Sequence, residues 1–244
     1  MVPAMNLLAF DTSTDTLSIA VQRGAAPARS YQGAGGAQAS ATLIPTLRQL
    51  LQQADLGMDQ LDAIAFGNGP GSFTGLRTAC AVAQGLAFGA RGGQGIPVLP
   101  VDTLLAVAEE ARAAHGCTRV LAALDARMGE VYWALYEYAA TPAGEPAWRQ
   151  LGEHALGAPE AVAVAPGWSV AGNARAAYGE RLAPGAPHVA ALPTATALLR
   201  LAPALLARGA AVPAAAALPR YVRNKVAQTT AERAAARAAG AAAA

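Results

Sequence analysis

A strand–turn–strand pattern occurs twice in the sequence, and this repetition limits the folds that the chain can adopt. Apolar runs within 6–23 flank a polar turn at 11–16, and apolar runs within 120–138 flank a second turn at 126–130. Short apolar runs on both sides of a polar turn are typical of β-hairpins. Mixed strand and helix segments follow each hairpin, so we expect two related α/β halves.

The predicted halves comprise residues 1–111 and 112–230, and the end of the second half is expected to return to the first. A chain of 244 residues with 54% hydrophobic and 14% charged residues is long and apolar enough to bury the cores of both halves. The Ala-rich residues 231–244 have helical propensity but little to bury. We therefore expect this tail to be disordered.

Composition argues against several classes of protein. Gly, Pro or charged residues interrupt every apolar stretch before about 18 residues, so no membrane span is expected. The N-terminus has no basic start that would indicate a secretory signal, and we expect a cytoplasmic protein. Two distant cysteines, Cys80 and Cys117, and three isolated histidines favour neither a disulfide scaffold nor a metal site. The net charge of +2 does not require a surface for polyanions.

Two helices are predicted in the first half, at about 40–54 and 74–89. Each carries apolar residues at intervals of three or four, which places them on one face. Such a stripe packs into the core or contacts a partner, and the spacing leaves both interpretations open. The stripes contain Leu43, Leu47 and Leu51 on the first helix and Ala79, Ala83 and Leu86 on the second.

A glycine-rich loop at 67–77 connects a predicted strand at 63–66 to the second helix. Its glycines let the backbone approach another group closely, and that group is either a phosphate or a second protein. The loop lacks the Gly-Lys-Ser/Thr ending of a P-loop and the spacing of a dinucleotide fingerprint. Ser72 stands where it can cap the helix, and a nucleophilic role is the alternative.

Charged residues near the loop and the turns offer further chemistry, each with a structural alternative. Asp11 precedes three hydroxyl residues that could donate to a metal-bound phosphate, although the same residue types form ordinary turns. Asp125 could face the first hairpin across a cleft or lie in a solvated loop. Arg77, one turn into the second helix, could bind a phosphate or a carboxylate or remain at the surface.

Basic residues surround a tyrosine near the end of the second half. Arg220, Arg223 and Lys225 are interleaved with Tyr221. This mixture is found in contacts with RNA, but a short basic element near a chain end is also typical of a solvated surface.

Four segments together resemble the TsaB family, also called YeaZ. They are residues 7–14, 67–77, 124–132 and 219–224, in the order in which that family has them. The resemblance extends from the first strand to about residue 226 and leaves out the Ala-rich tail. It implies an α/β fold of the actin-like ATPase (ASKHA) class with two ribonuclease H-like halves, in agreement with the repeated hairpin.

The resemblance also implies a function. TsaB-like chains pair with the related subunit TsaD, which transfers a threonylcarbamoyl group to N6 of adenosine 37 in tRNAs that read codons beginning with A. A small ATPase, TsaE, joins the pair. We therefore expect a non-catalytic scaffold that binds and activates a TsaD-like subunit and reaches tRNA through the complex. ATP and a metal ion are expected on the partner subunits and no cofactor on this chain, which in isolation would form a homodimer.

The TsaD-like relatives differ from this chain at a metal-binding motif. They carry His-x-x-x-His after the strand that corresponds to 97–101, where this chain has Thr103 and Val107. A transferase of this type needs a metal ion to polarise its substrate, and these two side chains cannot supply the ligands. Many TsaB-like proteins have a histidine where this chain has Ala39, so no role of that histidine is expected here.

The resemblance implies two sets of site residues. The partner surface would lie on the two first-half helices and include Leu43, Leu47, Leu51, Arg77, Ala79, Ala83 and Leu86. A vestigial phosphate site would include Asp11, Thr12, Ser13, Gly69, Gly71, Ser72 and Asp125. Two rival functions stay open. One is an ATP-dependent phosphotransferase in which Asp11 and Asp125 flank magnesium phosphates, and the other is a peptidase that uses Ser72.

Overall fold

The computed structural model describes residues 4–141 and 146–223. A five-stranded sheet forms the centre of the first half. Its strands are Leu7–Asp11 (β1), Thr16–Gln22 (β2), Arg29–Ala34 (β3), Ala63–Gly69 (β4) and Val98–Asp102 (β5). Their order is β3-β2-β1-β4-β5. Neighbours among the first three strands are antiparallel, whereas β1, β4 and β5 run parallel.

The second sheet repeats this arrangement. Its strands are Arg119–Arg127 (β6), Glu130–Ala140 (β7), Pro146–Gly157 (β8), Ser169–Gly172 (β9) and His188–Val189 (β10). Their order is β8-β7-β6-β9-β10, again with an antiparallel triplet followed by two parallel neighbours. The equal order and directions confirm the predicted fold of two ribonuclease H-like halves.

Five α-helices cover the sheets within the described residues. They are Ala39–Gln53 (α1), Phe73–Gly89 (α2), Thr103–His115 (α3), Ala174–Tyr178 (α4) and Ala195–Ala207 (α5). The helices α1 and α2 pack together on one face of the first sheet. The helix α3 follows the last strand of the first half, yet its Val107 packs in the core of the second sheet with Val120. In the same way α5 follows β10 but packs on the first sheet, where Leu198 contacts the core around Leu7.

A buried carboxylate joins these two crossed helices. Glu109 of α3 is 2% exposed and accepts hydrogen bonds of 2.9 Å from Arg112, from Arg200 of α5 and from Trp148 of β8. Burial raises the pKa of Glu109, but the bonds from Arg112 and Trp148 outweigh burial and leave that pKa below its ordinary value. The two halves therefore share one continuous set of contacts.

The structure confirms both hairpins, the strand before the glycine-rich loop and the first-half helices, and it adds three strands, β3, β8 and β10. Two of these strands, β3 and β8, lie at equivalent edges of the two sheets. The predicted boundary at 111/112 falls within α3 and stays a prediction. Beyond α5 the chain returns to the first half, where Val212 pairs with Val98.

Two further expectations concern membranes and the end of the chain. No helix among the described residues is long and apolar enough to cross a membrane. The predicted disordered tail, 231–244, and Lys225 lie outside the described residues.

Candidate functional site

A cleft of about 320 Å³ lies between the two halves. Four segments line most of it, namely 13–15 after β1, 70–73 after β4, 124–128 at the end of β6, and 220–223 near the end of the described chain. Crevices at the carboxyl ends of parallel strands are common ligand sites in α/β folds. The predicted phosphate site would therefore lie in this cleft.

The glycine-rich loop packs directly against the first hairpin. A Cβ atom at Gly75 would lie 1.9 Å from the carbonyl oxygen of Thr12, and one at Gly71 would lie 2.6 Å from Ser13. The N–H of Ser72 donates to the Ser13 carbonyl at 2.7 Å, and the Thr12 hydroxyl donates to the Gly75 carbonyl at 2.7 Å. The close approach that these glycines allow is thus made by the backbone of the protein's own hairpin.

Asp11 is sealed beneath this hairpin and does not line the cleft. Its side chain has no exposed surface, and its Oδ1 atom accepts from the Ser13 hydroxyl at 2.6 Å and the Ser13 N–H at 2.8 Å. The Oδ2 atom has no hydrogen-bond partner among the described residues and faces Gly67, where a Cβ atom would lie 1.7 Å away. Burial raises the pKa of Asp11 to about 6. This placement argues against Asp11 as a ligand of magnesium phosphates.

Asp125 lies in the cleft wall, but arginine and tyrosine already hold its carboxylate. Its Oδ1 atom accepts from the Arg127 N–H at 2.8 Å and from the Tyr178 hydroxyl at 2.7 Å. The Arg127 guanidinium lies 3.2 Å from Oδ2 of Asp125 and 2.5 Å from Oδ2 of Asp15 in the first hairpin. Burial and the bond to Asp125 raise the pKa of Tyr178 to about 12, so this phenol keeps its proton and donates.

The residues present therefore do not fit a nucleotide bound with a divalent cation. One guanidinium, that of Arg127, pairs with both cleft carboxylates, those of Asp15 and Asp125, and the third carboxylate, that of Asp11, is out of reach. Among the described residues no group of three His, Cys, Asp or Glu side chains could hold a metal ion. At the positions of the relatives' histidines, Thr103 accepts a 3.0 Å bond from the N–H of Gly69, and Val107 is buried in the core.

Ser72 serves as the cap of α2. Its hydroxyl accepts a 3.4 Å bond from the N–H of Gly75, as predicted from its position before the helix. Within the described chain, no histidine, lysine or carboxylate forms a hydrogen bond with this hydroxyl. The arrangement needed to activate a serine nucleophile is not assembled around Ser72.

The structure corrects the predicted partner contacts on α1 and α2. The apolar stripes face inward, so their buried members do not form an exposed surface in the isolated chain. Leu43, Leu47, Leu51, Ala79 and Ala83 are at most 5% exposed, and Leu86 is half-buried against the same core. Arg77 is exposed at the beginning of α2, outside these stripes. The outward side of the two helices carries other residues.

Two of the three predicted RNA contacts, Arg220 and Arg223, lie within the described residues, and they differ in exposure. The Arg223 side chain is 13% exposed, and its guanidinium donates to Glu130 at 2.6 Å and to the Ala126 carbonyl at 3.0 Å. Arg220 is 46% exposed and lies 3.4 Å from the carboxylate of Asp102. Arg223 is therefore not a free surface cation, whereas the Arg220 side chain keeps much of its exposure.

An aromatic cluster that the sequence patterns did not predict lies at the mouth of the cleft. The rings of Phe73 and Tyr221 lie 5.3 Å apart, and the Arg77 guanidinium lies 4.0 Å from the centre of the Phe73 ring. Arg77 also donates to the Tyr221 hydroxyl at 3.2 Å. The two rings are far apart in sequence, so only their presence in the two motifs could have drawn attention to them.

A second missed cluster surrounds Asp102, which caps α3. Its Oδ1 atom accepts from the N–H of Leu104 at 2.9 Å. Its Oδ2 atom accepts from the Tyr136 hydroxyl at 2.8 Å and lies 2.6 Å from Nε2 of His154 in β8. Burial and the nearby Asp102 raise the pKa of Tyr136 well above its ordinary value. An Asp before a helix is a recognisable capping signal, whereas His154 belongs to a strand that was not predicted.

Comparison with known proteins identifies relatives across the chain. The family model of TsaD, described as tRNA N6-adenosine threonylcarbamoyltransferase, matches residues 35–237. The tRNA threonylcarbamoyladenosine biosynthesis protein TsaB of Haemophilus influenzae is 35% identical over 242 residues, covering 91% of this chain and 95% of that protein. TsaB of Escherichia coli K12 is 39% identical over 133 residues, 54% of this chain and 55% of that protein. The solved structure of YeaZ from Pseudomonas aeruginosa has a TM-score of 0.78 and 42% identity, covering 89% of this chain and 100% of that one.

Proposed function

The chain belongs to the TsaD-like family and, within it, to the TsaB (YeaZ) group, and from this premise we propose that it is a non-catalytic subunit that binds and activates a TsaD-like threonylcarbamoyltransferase. The reaction served is the N6-threonylcarbamoylation of adenosine 37 in tRNAs that read codons beginning with A. The protein acts in the cytoplasm, and tRNA reaches it through the complex. A TsaE-like ATPase joins the pair, and ATP and a metal ion bind to the partner subunits.

The burial and the pairing of the aspartates near the two hairpins support the proposal that this subunit is not catalytic. Asp11 is fully buried, and Arg127 pairs with both Asp15 and Asp125. A divalent cation carrying phosphates would have to displace this guanidinium and expose Asp11 at the same time. The cleft is therefore better suited to holding the two halves together than to binding a nucleotide.

The partner surface that we propose is the outer face of α1 and α2, formed by Ile44, Arg48, Ala81, Gly85 and Phe88. Ile44 is 41% exposed and Phe88 is 72% exposed, although both are large apolar residues. Ala81 and Gly85 are exposed between them and leave room for the close approach of a partner helix. An interface of about 1,600 Å² would need both helices. In isolation the same face pairs two copies of the chain.

Gly85→Glu tests this surface without disturbing the core. Nothing lies within 4 Å of a Cβ atom built at Gly85, so the glutamate fits in the isolated chain, and replacing glycine inside a helix favours folding. We expect retention by an immobilised TsaD-like subunit to fall at least tenfold, because the charge would be buried in the interface. Ala113→Glu, at an exposed position of α3, is the matched control and should bind normally. Equal retention of both folded variants would refute the surface.

Reconstitution tests the function itself. Purified TsaD-like and TsaE-like subunits, tRNA, ATP and the threonylcarbamoyl donor system should give modified adenosine with this chain and little without it. The isolated chain should show no Mg-ATP binding in calorimetry. Binding that disappears in Asp11→Ala, or modification that proceeds equally well without the chain, would overturn the proposal.

A further inference from the structure

Residues 217–223, called the strap below, cross from the first half to the second over the cleft. In the first half, the Ala217 carbonyl accepts from the Cys80 thiol at 3.2 Å and from the Gln84 amide at 2.9 Å, both on α2. The N–H of Arg220 donates to the carbonyl of Asn68 at 2.6 Å. A Cβ atom at Gly69 would lie 2.5 Å from the Arg220 carbonyl oxygen, so this contact depends on a glycine at the end of β4.

The other end of the strap is attached to the hairpin of the second half. Arg223 donates to the Ala126 carbonyl and to Glu130, which lie on opposite sides of the turn between β6 and β7. Its Nη1 atom also lies 3.1 Å from the sulfur of Met128 at the tip of that turn. Val222 packs against the core of the second sheet. The strap thus makes contacts with both the glycine-rich loop and the hairpin of the second half.

The strap is a stronger link across the cleft than the direct contact between the two hairpins. That contact, Arg127 with Asp15, has side chains that are 66% and 76% exposed. Solvent and salt weaken such a pair. The Arg223 side chain, in contrast, is 13% exposed and that of its partner Glu130 is 39% exposed, so this pair is screened less than the pair between the hairpins.

The closed strap also contains features that oppose it. The Nε atom of Arg223 is buried without a hydrogen-bond partner among the described residues. Leu218 is 66% exposed, so this apolar side chain gains little from the closed position. A buried unsatisfied donor opposes the state that contains it. The strap is therefore held by specific hydrogen bonds and by the packing of Ala217 and Val222, while exposed Leu218 and the unpaired Nε atom of Arg223 oppose the closed position.

From this geometry we propose that the strap holds the two halves closed over the cleft and that its detachment lets the cleft open. The proposal does not depend on the function proposed above. The proposal predicts that the two attachments of the strap are coupled, because loss of either attachment frees the same segment. The glycine-rich loop and the second hairpin then loosen together.

Hydrogen–deuterium exchange of the full chain tests this role of the strap. Arg223→Ala should accelerate amide exchange at least tenfold in 67–72 and in 126–131, while α3 and α5 exchange as in the original chain. Arg29→Ala, at an exposed arginine of β3 far from the strap, is the control and should change neither segment. Unchanged exchange in both segments overturns the proposal, and so does equal acceleration along the entire chain.

A second variant acts from the opposite end. Gln84→Ala removes one bond to the Ala217 carbonyl from a half-buried position of α2, so the chain should fold normally. We expect about threefold faster exchange in 126–131, although that hairpin belongs to the other half. If the faster exchange stays confined to α2 and the strap, the two ends are independent and the proposal fails.

Discussion

The two halves share one sheet topology but differ in what surrounds it. In the first half, helices α1 and α2 comprise 15 and 17 residues and follow β3 and the glycine-rich loop. In the second half, a short 3-10 turn, Pro159–Ala161, follows β8, and the five-residue α4 follows β9. The repeated sheet therefore sets the architecture, while the added helices give the first half an outward face that the described part of the second half lacks.

The two halves also differ in how they hold the aspartate at the end of the first hairpin strand. Asp11 ends β1 and is buried with one oxygen unpaired, whereas Asp125 near the end of β6 is held by Arg127 and Tyr178. One carboxylate is sealed and the other is neutralised. At equivalent positions of the repeat, two carboxylates are thus withdrawn from the cleft by different physical routes, one by burial and the other by pairing.

The largest effect is expected from two glycines, one in each half. A Cβ atom at Gly75 would lie 1.9 Å from the Thr12 carbonyl oxygen, and one at Gly172 would lie 1.9 Å from that of Ala123, with φ of +133° at Gly172. We expect Gly75→Ala and Gly172→Ala each to lower the free energy of unfolding by about 2–4 kcal/mol in urea titrations. Gly85→Ala, with open space around its Cβ atom, is the control and should not destabilise. If one half tolerated its alanine, the halves would not be equally constrained.

The next effect concerns Asp11 and depends on pH. Its pKa is about 6 in the folded protein and 3.8 in an unfolded chain, so the folded state binds more protons between these values. The stabilisation from protonated Asp11 is complete below about pH 4 and is lost as the pH rises through 6. A pKa difference of about 2 corresponds to about 3 kcal/mol. Relative to Asp11→Asn, the original chain should lose about that much unfolding free energy between pH 4 and 7. Parallel pH profiles of the two proteins would contradict the burial of this charge.

The smallest effect is expected at the ion pair between the hairpins. Because Arg127 and Asp15 are both mostly exposed, a double-mutant cycle with Arg127→Ala and Asp15→Ala should give a coupling of about 0.2–1 kcal/mol. The coupling should shrink in 1 M salt, where the Debye length is about 3 Å. A coupling well above this range that resists salt would place the main link between the halves here and not in the strap.

Much of the fold could be predicted because its central elements have clear local patterns. The hairpin strands are apolar runs around polar turns, and Ser72 precedes α2 as a cap. The strands β3 and β8 could not be found in this way. Most residues of β3 are exposed, and β8 combines proline, glycine and charged residues in its sequence. Such edge strands gain their order from the neighbouring strand, which a local pattern does not describe.

The site was less predictable because it depends on contacts between distant segments. The spacing of Leu43 and Leu47 placed them correctly on one face, but it could not show that this face is turned inward while Ile44 is exposed. Asp11 is buried because Gly67 of another strand lies against it, and Arg127 pairs with Asp15 from the opposite hairpin. None of these relations is present in a local window of sequence.

The crossed packing of α3 and α5 has a consequence for synthesis of the protein. The helix α5 completes the core of the first sheet, where the N–H of Ala195 also donates to the hydroxyl of Ser18 at 2.8 Å. During translation this helix emerges from the ribosome long after β1 and β4. The nascent first sheet therefore keeps an apolar face open to solvent and to chaperones until nearly the whole chain has been made.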